Sequence, residues 1–418
     1  MVMLDPSPPC RSCGHATEPF LAFGELPLAN ALVPVGAKDE PRFPLTMTAC
    51  AHCGLVQLAE TVDPNRLFRH YVYMSSNSPA FLRHAQTLAQ RLIKERGLGA
   101  QSRVIEIASN DGYLLKNYRD AGIPVLGIEP ARNIAEVAQK AGIDTVSEFF
   151  SADFARTLRA DNKLADVIHA NNVLAHVPDL QGFVAGLALV LKPDGIVVIE
   201  APYVRDMLEK LEFDTAYHEH LCYFALTPLV TLFAKSGLDI YRVERIPVHG
   251  GSLRIFARHA GAAESENSVV AMLAQEKEWG VRDAALYRRF ADAVLSFKPT
   301  LAAFLGKLRA EGKSIAAYGA SAKGATMLNY CGVDHTMLEF VVDRSDVKQG
   351  LAMPGVQLRI LPPEELLRRQ PDFVLLLAWN FLDEIVEQQA EYLRRGGRFI
   401  VPVPEPHFVA VPAALTAS

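Results

Sequence analysis

The sequence predicts an α/β protein built on a doubly wound parallel sheet, with a small module before it and a second, shorter α/β unit after it. Three observations carry this. From "RVIEIA" to "GIVVIEAP" short apolar runs alternate with amphipathic ones, strand after helix, the pattern of parallel strands covered on both faces. The same alternation restarts at "SIAAYGASAKG". Ahead of both, four of the six cysteines stand in two CxxC pairs. At about 150 residues per domain, 418 residues leave room for two to four. The expected division is 1–68, 69–260 and 261–418.

The first part holds Cys10 and Cys13 in "CRSCGH", then Cys50 and Cys53 in "CAHCGL". The N-terminus lacks the charged and apolar regions of a signal peptide. No apolar run reaches the roughly 18 residues that span a bilayer, so no membrane partner is expected. The expected compartment is the cytoplasm, where thiols stay reduced. Four thiolates in two turns then suit a closed tetrahedral zinc site, with a Gly after each second cysteine to let the backbone fold round the metal. A closed site leaves no open position, so this zinc is expected to hold structure. The competing reading is two CxxC turns without metal. A net charge of −5 argues against a nucleic-acid partner.

In the central part, Ser78–Pro79 marks the start of a long helix. "RVIEIA", "PVLGIEP", "DTVSEFF", "ADVIHANNVL" and "GIVVIEAP" read as strands, with helices at "GYLLKNYRDAG", "ARNIAEVAQKAG" and "LQGFVAGLALVLKPDG". "DIYRVERIPVHGGSLRIFARH" reads as two antiparallel edge strands. The loop after the first strand, "EIASNDG", keeps only Gly112 of a dinucleotide fingerprint; Ala108 and Asn110 stand where other glycines would. A pyrophosphate needs that close backbone approach, whereas S-adenosylmethionine carries no phosphate. Glu106 and Asp111 add negative charge, which suits a sulfonium and an ammonium. Glu129 is spaced to take ribose hydroxyls. Asn171, Asn172 and His176 fall at the carboxyl end of a later strand, where ligands of open sheets bind. With the "LKPDG" turn, the order resembles the class I methyltransferases, which implies that fold for residues 69–260.

After the sheet comes "AYHEHLCYF", residues 216–224. A methyl transfer to carbon needs a base strong enough to remove a proton made acidic by a neighbouring ketone. Histidine suits that work near neutrality, and a neighbouring Glu can orient an imidazole and favour its charged form. A metal held by His218, His220 and Glu219, or a hydrogen-bonded cluster without chemistry, competes with this reading. Cys222 reads as a small core residue.

The words "CRSCG…CAHCGLVQL", "YVYMSSNSP", "EIASNDGYLL", "GIEP", "NNVLAHVPDL", "YHEHLCYF", "HGGSLR" and "YGASAKGATMLNY" together cover nearly the whole chain. In them it resembles the nucleotide-sugar C-methyltransferases, which methylate carbon 3 of 4-keto deoxysugars in bacteria. The resemblance implies an N-terminal zinc module, a central methyltransferase domain and a C-terminal Rossmann-like domain. It implies that Tyr217, Glu219 and His220 line the reacting carbon with His220 as base, helped by Tyr71 and His176. Candidate donor-binding residues are completed by Tyr73, Ser75, Tyr113, Leu114, Pro130 and Phe149. Candidate substrate-binding residues include Asn77 and Tyr203.

In the third part, "GASAKG" follows an apolar strand and opens a helix, whose amides attract phosphate. Ser321, Lys323 and Asp343 are the candidate contacts for the nucleotide end of a nucleotide-linked 4-keto deoxysugar; a turn that only packs is the alternative. His249, Gly251, Ser252 and Arg254 of "HGGSLR" are candidates for the same substrate, with Arg254 alternatively a solvated edge residue. The chain is expected to be a monomer or weak homodimer. An O-methyltransferase, a non-catalytic zinc-containing binding protein and a nicotinamide oxidoreductase are the rival readings.

Overall fold

The structure, a computed structural model, describes residues 8–71, 74–248, 250–262 and 264–410. Tyr73 and His249 lie outside the described residues. The N-terminal part supplies β1 (Glu18–Pro27), β2 (Val33–Pro34), β3 (Arg42–Ala49) and β4 (Val56–Leu58). β1, β3 and β4 pair antiparallel in that order.

The central sheet begins with β5 (Val104–Ile107), whose four residues are all buried, as a parallel strand covered on both faces requires. β6 (Val125–Ile128), β7 (Thr145–Val146), β8 (Ala165–Asn171) and β9 (Leu191–Pro202) follow. The long helix Pro79–Arg96 starts where the sequence placed it: the Ser78 hydroxyl accepts from the Phe81 amide at 3.3 Å, with proline in the first turn. "LKPDG" is not the free turn expected. It lies inside β9 as a bulge, because Leu191 pairs with Ala165 and Ile196 with Val167. Gly195 is required there, since a Cβ would stand 2.9 Å from the Ala165 carbonyl oxygen.

The next strand leaves the central sheet. β10 (Cys222–Tyr223) pairs antiparallel with β4, Cys222 opposite Gln57 and Tyr223 opposite Val56. β11 (Leu238–Ile246) and β12 (Ser252–His259) then form the antiparallel edge, so the central order is β11-β12-β9-β8-β5-β6-β7.

Helices Asn267–Trp279 and Ala284–Ala310 lead to β13 (Ile315–Tyr318), β14 (Val341–Val342), β15 (Leu351–Ala352), β16 (Ile360–Leu361), β17 (Phe373–Leu376), β18 (Arg398–Val401) and β19 (His407–Phe408). Six of these make the sheet β16-β14-β13-β17-β18-β19, parallel except for β19. β15 instead pairs with β2 of the N-terminal part, and Glu40 accepts from the Gly355 amide at 2.6 Å beside it. The three parts also share one core. Phe213 from the centre meets Phe297 and Tyr330 of the third part at 5.0 and 5.7 Å between ring centroids, and Phe23 of the first part meets Tyr330 at 4.9 Å. Among the described residues no helix is long and apolar enough to cross a membrane.

Candidate active site

The two CxxC turns meet. Cys10 Sγ lies 3.5 Å from Cys53 Sγ, Cys13 Sγ lies 3.5 Å from Cys50 Sγ, and all four sulfurs are within 4.8 Å of one another. Tetrahedral zinc–sulfur bonds of about 2.3 Å put sulfurs about 3.8 Å apart, so the four thiols fit a zinc ion. Gly14 and Gly54 both adopt φ +82°, and their amides close the turns on the Cys10 and Cys50 carbonyls at 2.8 Å. Sharing a proton with Cys53 holds the Cys10 thiol below its ordinary range. The imidazoles of His15 and His52 stack at 3.7 Å between centroids beside this site.

The loops at the carboxyl ends of β5, β6 and β8 carry most of the candidate donor-binding residues. Ala108 and Asn110, which replace glycines, adopt φ of +52° and +51°. The loop therefore keeps a glycine-like path at a cost of about 1–3 kcal/mol for each such residue. It is braced from two sides: Glu129 accepts from the Asn110 and Ala131 amides, each at 2.8 Å, and Asn110 Oδ1 accepts from the Ser75 amide at 2.9 Å. Burial pushes the Glu129 carboxyl up to about 7. It pushes Glu106 well above the usual carboxylate range, with the charges of Asp111 and Glu129 adding to the effect. Several buried polar atoms here lack a hydrogen-bond partner: Glu106 Oε2, Asp111 Oδ1, Asn171 Oδ1 and both amide atoms of Asn172. Orphaned polar groups of this kind await a ligand, and acidic ones fit the cationic donor S-adenosylmethionine. Gly112, at φ +80°, packs where a Cβ would meet Ile143 at 2.7 Å. Leu114 is fully buried in a core cluster with Tyr113, which leaves only its backbone to the loop. The Arg69 guanidinium covers the Phe149 ring at 4.5 Å. Pro130 follows Glu129 at the mouth of β6, and Asn77 ends the short 3₁₀ turn begun by Ser75.

"YHEHLCYF" is held at the junction of the first and central parts. His220 Nδ1 faces the Thr215 carbonyl at 3.0 Å. A carbonyl only accepts, so the neutral ring carries its proton on Nδ1 and a lone pair on Nε2. That Nε2 lies 2.8 Å from the Tyr217 hydroxyl. His176 Nδ1 likewise donates to the Glu219 carbonyl at 2.7 Å, its ring 4.9 Å from that of His220. Burial lowers the His176 pKa and keeps the ring neutral. The Glu219 carboxylate accepts from Asn30 Nδ2 at 2.7 Å and from the Tyr71 hydroxyl at 3.2 Å; burial nonetheless pushes it up to about 7. Thus Tyr71, His176, Tyr217, Glu219 and His220 lie together. His218 does not join them. Its Nε2–H is shared between the Phe43 and Pro44 carbonyls of β3, each at 3.2 Å, because the chain turns here, the His220 amide donating to the Tyr217 carbonyl at 2.8 Å, and residues two apart no longer share a face. Neither potential metal cluster among the described residues contains His218, Glu219 or His220. Burial pushes the Cys222 thiol up to about 12, so it is no nucleophile.

A cavity beside His220 is lined by Tyr203, Met207, Glu212, Thr215 and Tyr223. The Gly251 carbonyl accepts from the Tyr203 amide at 3.0 Å. The Ser252 hydroxyl turns back to the Val248 carbonyl at 2.9 Å. Arg254 is bound within the sheet rather than solvated: its guanidinium meets Glu200 at 2.7 Å, Glu244 at 3.0 Å and His84 at 3.1 Å. In the third part Ser321 caps helix Ala322–Cys331, accepting from the Gly324 amide at 3.1 Å. Asp343 accepts from the Ala320 amide at 2.8 Å, the same brace that Glu129 gives Asn110. The Lys323 ammonium sits 4.3 Å over the Trp379 ring and has no hydrogen-bond partner among the described residues. Sequence reasoning missed Asn30, Glu212, Thr215 and Trp379.

Comparison with known proteins identifies the family. Residues 10–68 match a family model for a zinc binding domain, residues 81–243 one for a methyltransferase domain, and residues 247–404 one for a C-methyltransferase C-terminal domain. The chain is 37% identical over 412 residues to C-methyltransferase NovU of Streptomyces niveus, covering 97% of this chain and 98% of that one. It is 27% identical over 164 residues to a ubiquinone biosynthesis O-methyltransferase of Burkholderia pseudomallei, 35% of this chain and 68% of that one. Among solved structures it is similar to the PH0226 protein of Pyrococcus horikoshii OT3, at 17% identity and a TM-score of 0.37, over 48% of this chain and all of that one. With its four-cysteine zinc site and its acidic donor loop, the chain belongs to the S-adenosylmethionine-dependent C-methyltransferase family.

Proposed function

We propose that the enzyme methylates a sugar carbon, C3, beside the 4-keto group of a nucleotide-linked deoxysugar. His220 Nε2 takes the proton from that carbon and the ketone holds the electrons as an enolate. The Tyr217 hydroxyl donates to Nε2 at 2.8 Å in the resting site; as Nε2 takes up the substrate's proton that O–H is released and turns to donate to the developing oxyanion. S-adenosylmethionine supplies an electrophilic methyl group to the resulting carbanion. Tyr71 and Asn30 hold Glu219, whose main-chain carbonyl holds His176, so the wall facing His220 is fixed before substrate arrives. Ser321, Lys323 and Asp343 would take the nucleotide end, and Tyr203 and Asn77 the sugar. We read residues 1–68, 69–260 and 261–418 as the working parts of a cytoplasmic monomer or weak homodimer.

The observation that carries this reading is the pinned tautomer of His220, whose Nδ1–H is committed to the Thr215 carbonyl. The test is incubation with dTDP-, GDP- and CDP-linked 4-keto deoxysugars in heavy water without methyl donor. Deuterium should enter beside the ketone, and adding labelled donor should then label that carbon. Transfer of label to oxygen with no deuterium uptake would refute the carbon reading in favour of an O-methyltransferase.

A further inference from the structure

The turn that holds His220 is itself held from the far end of the chain. Residues Phe213–Thr215 form a single 3₁₀ turn. Its last carbonyl, that of Thr215, accepts from His220 Nδ1 at 3.0 Å and from the Tyr223 hydroxyl at 3.5 Å. Its middle residue, Asp214, has no exposed surface, yet its Oδ2 accepts from the indole N–H of Trp379 at 2.7 Å across 165 positions of sequence. The indole is fixed on its other side by the Lys323 ammonium, 4.3 Å above its ring. Phe213 is seated in the shared aromatic core against Phe297 and Tyr330. Apolar packing keeps a turn in place without fixing its rotation; a directional hydrogen bond fixes the rotation. The rotation matters here because it aims the Thr215 carbonyl.

We propose that Trp379 and Asp214 form a positioning pair through which the C-terminal part of the chain orients the catalytic imidazole. The indole sets the turn, the Thr215 carbonyl of that turn sets the proton on His220 Nδ1, and Nε2 is left as the lone-pair site. The proposal rests on the reading of His220 as the base. It gives Trp379 a role without contact with substrate or donor. It also explains why a residue after β17 is tied to a turn before β10.

The test compares the full-length, zinc-loaded wild type with Trp379→Phe, Asp214→Ala, the double variant, Asp214→Asn and His220→Asn. The readings are deuterium exchange into a 4-keto dTDP-sugar without donor, kcat and KM with donor, and donor affinity by calorimetry. Misaiming a catalytic group by a fraction of an ångström should slow both exchange and kcat about tenfold in Trp379→Phe and in Asp214→Ala. Donor affinity should stay within about twofold, because both residues lie apart from the loop after β5, and any rise in KM, through Lys323 against the indole, should be smaller than the loss in kcat. The double variant should be no slower than the slower single, since both remove one bond. Asp214→Asn keeps an acceptor oxygen and should keep the rate. Wild-type exchange in Trp379→Phe, additive losses in the double variant, or a rise in KM at constant kcat would each overturn the pair. The base reading fails separately: if His220→Asn exchanges at the wild-type rate, His220 is not the base and the pair has nothing to position. If His220→Asn is inert while Trp379→Phe is normal, only the pair is refuted.

Discussion

Replacing Glu219 by glutamine should make the enzyme more stable, and increasingly so as pH rises. Burial lifts the Glu219 carboxyl from its ordinary 4.5 to about 7, although Asn30 and Tyr71 both donate to it. A raised folded-state pKa means the folded protein holds this proton more tightly than the unfolded chain. Its contribution is therefore complete below about pH 4.5 and is lost as pH climbs through about 7. The gap is about 2.5 in pH, and at about 1.4 kcal/mol for each step it amounts to about 3 kcal/mol. Glutamine has the same shape: its oxygen can accept from Asn30, and its amide can donate to the Tyr71 oxygen. Wild type and variant should thus unfold alike in urea at pH 4.5. At pH 8 the variant should gain up to about 3 kcal/mol, read from the fluorescence of Trp279 and Trp379. Turnover should fall in the same variant, the usual exchange of stability for function at a strained site. A stability difference that stays constant or shrinks from pH 4.5 to 8 would refute the reasoning.

His220→Asn should abolish turnover while calorimetry finds donor affinity unchanged, because the imidazole meets Thr215 and Tyr217 rather than the donor loop; near-normal turnover counts against its role. Cys50→Ser should release the metal, measured by elemental analysis, and should cost activity as well, since β4 carries β10 beside His220; full activity in metal-free protein would contradict this. Gly250→Ala places a Cβ about 2.5 Å from both carboxylate oxygens of Glu212 at φ +92°, and should lower the melting temperature by the equivalent of about 1–3 kcal/mol; an unchanged melting temperature would show that the loop simply moves aside. Asn30→Ala leaves a buried carboxylate oxygen without its donor and should cost about 1–3 kcal/mol at pH 8, with less loss at pH 5 where Glu219 is protonated.

The fold was legible where local pattern decides it. Apolar runs such as "RVIEIA" became buried parallel strands because such strands have no polar face to show, and Ser78–Pro79 began a helix because cap and first-turn chemistry are local. The five side chains that lie together around residues 217–220 were named through resemblance rather than through spacing. Spacing alone left His218 and His220 equivalent, and what separates them is the turn at residues 217–220, which sends one imidazole to β3 and the other to the Thr215 carbonyl. That Arg254 is buried in ion pairs, rather than the solvated edge residue of the alternative reading, was hidden for a similar reason. Its partners Glu200 and His84 lie 54 and 170 positions away, and no local pattern announces a cross-strand ion pair. Asn30 and Trp379 were missed because their importance comes from Glu219 and Asp214, which they meet across 189 and 165 positions. Ala108 and Asn110 were read correctly as substitutes for glycine, but only the structure reveals that they still bend as glycine does.

The pairing of β4 with β10 and of β2 with β15 has a consequence for how the molecule comes into being. The segment that leaves the ribosome first cannot finish either of its sheets until residues 222 and 351 have followed it out. Its cysteines can gather early, because all four lie within the first 53 positions. A metal captured at that moment would keep the amino-terminal strands assembled through the long wait for their distant neighbours, which ordinarily makes such topologies slow and prone to clump.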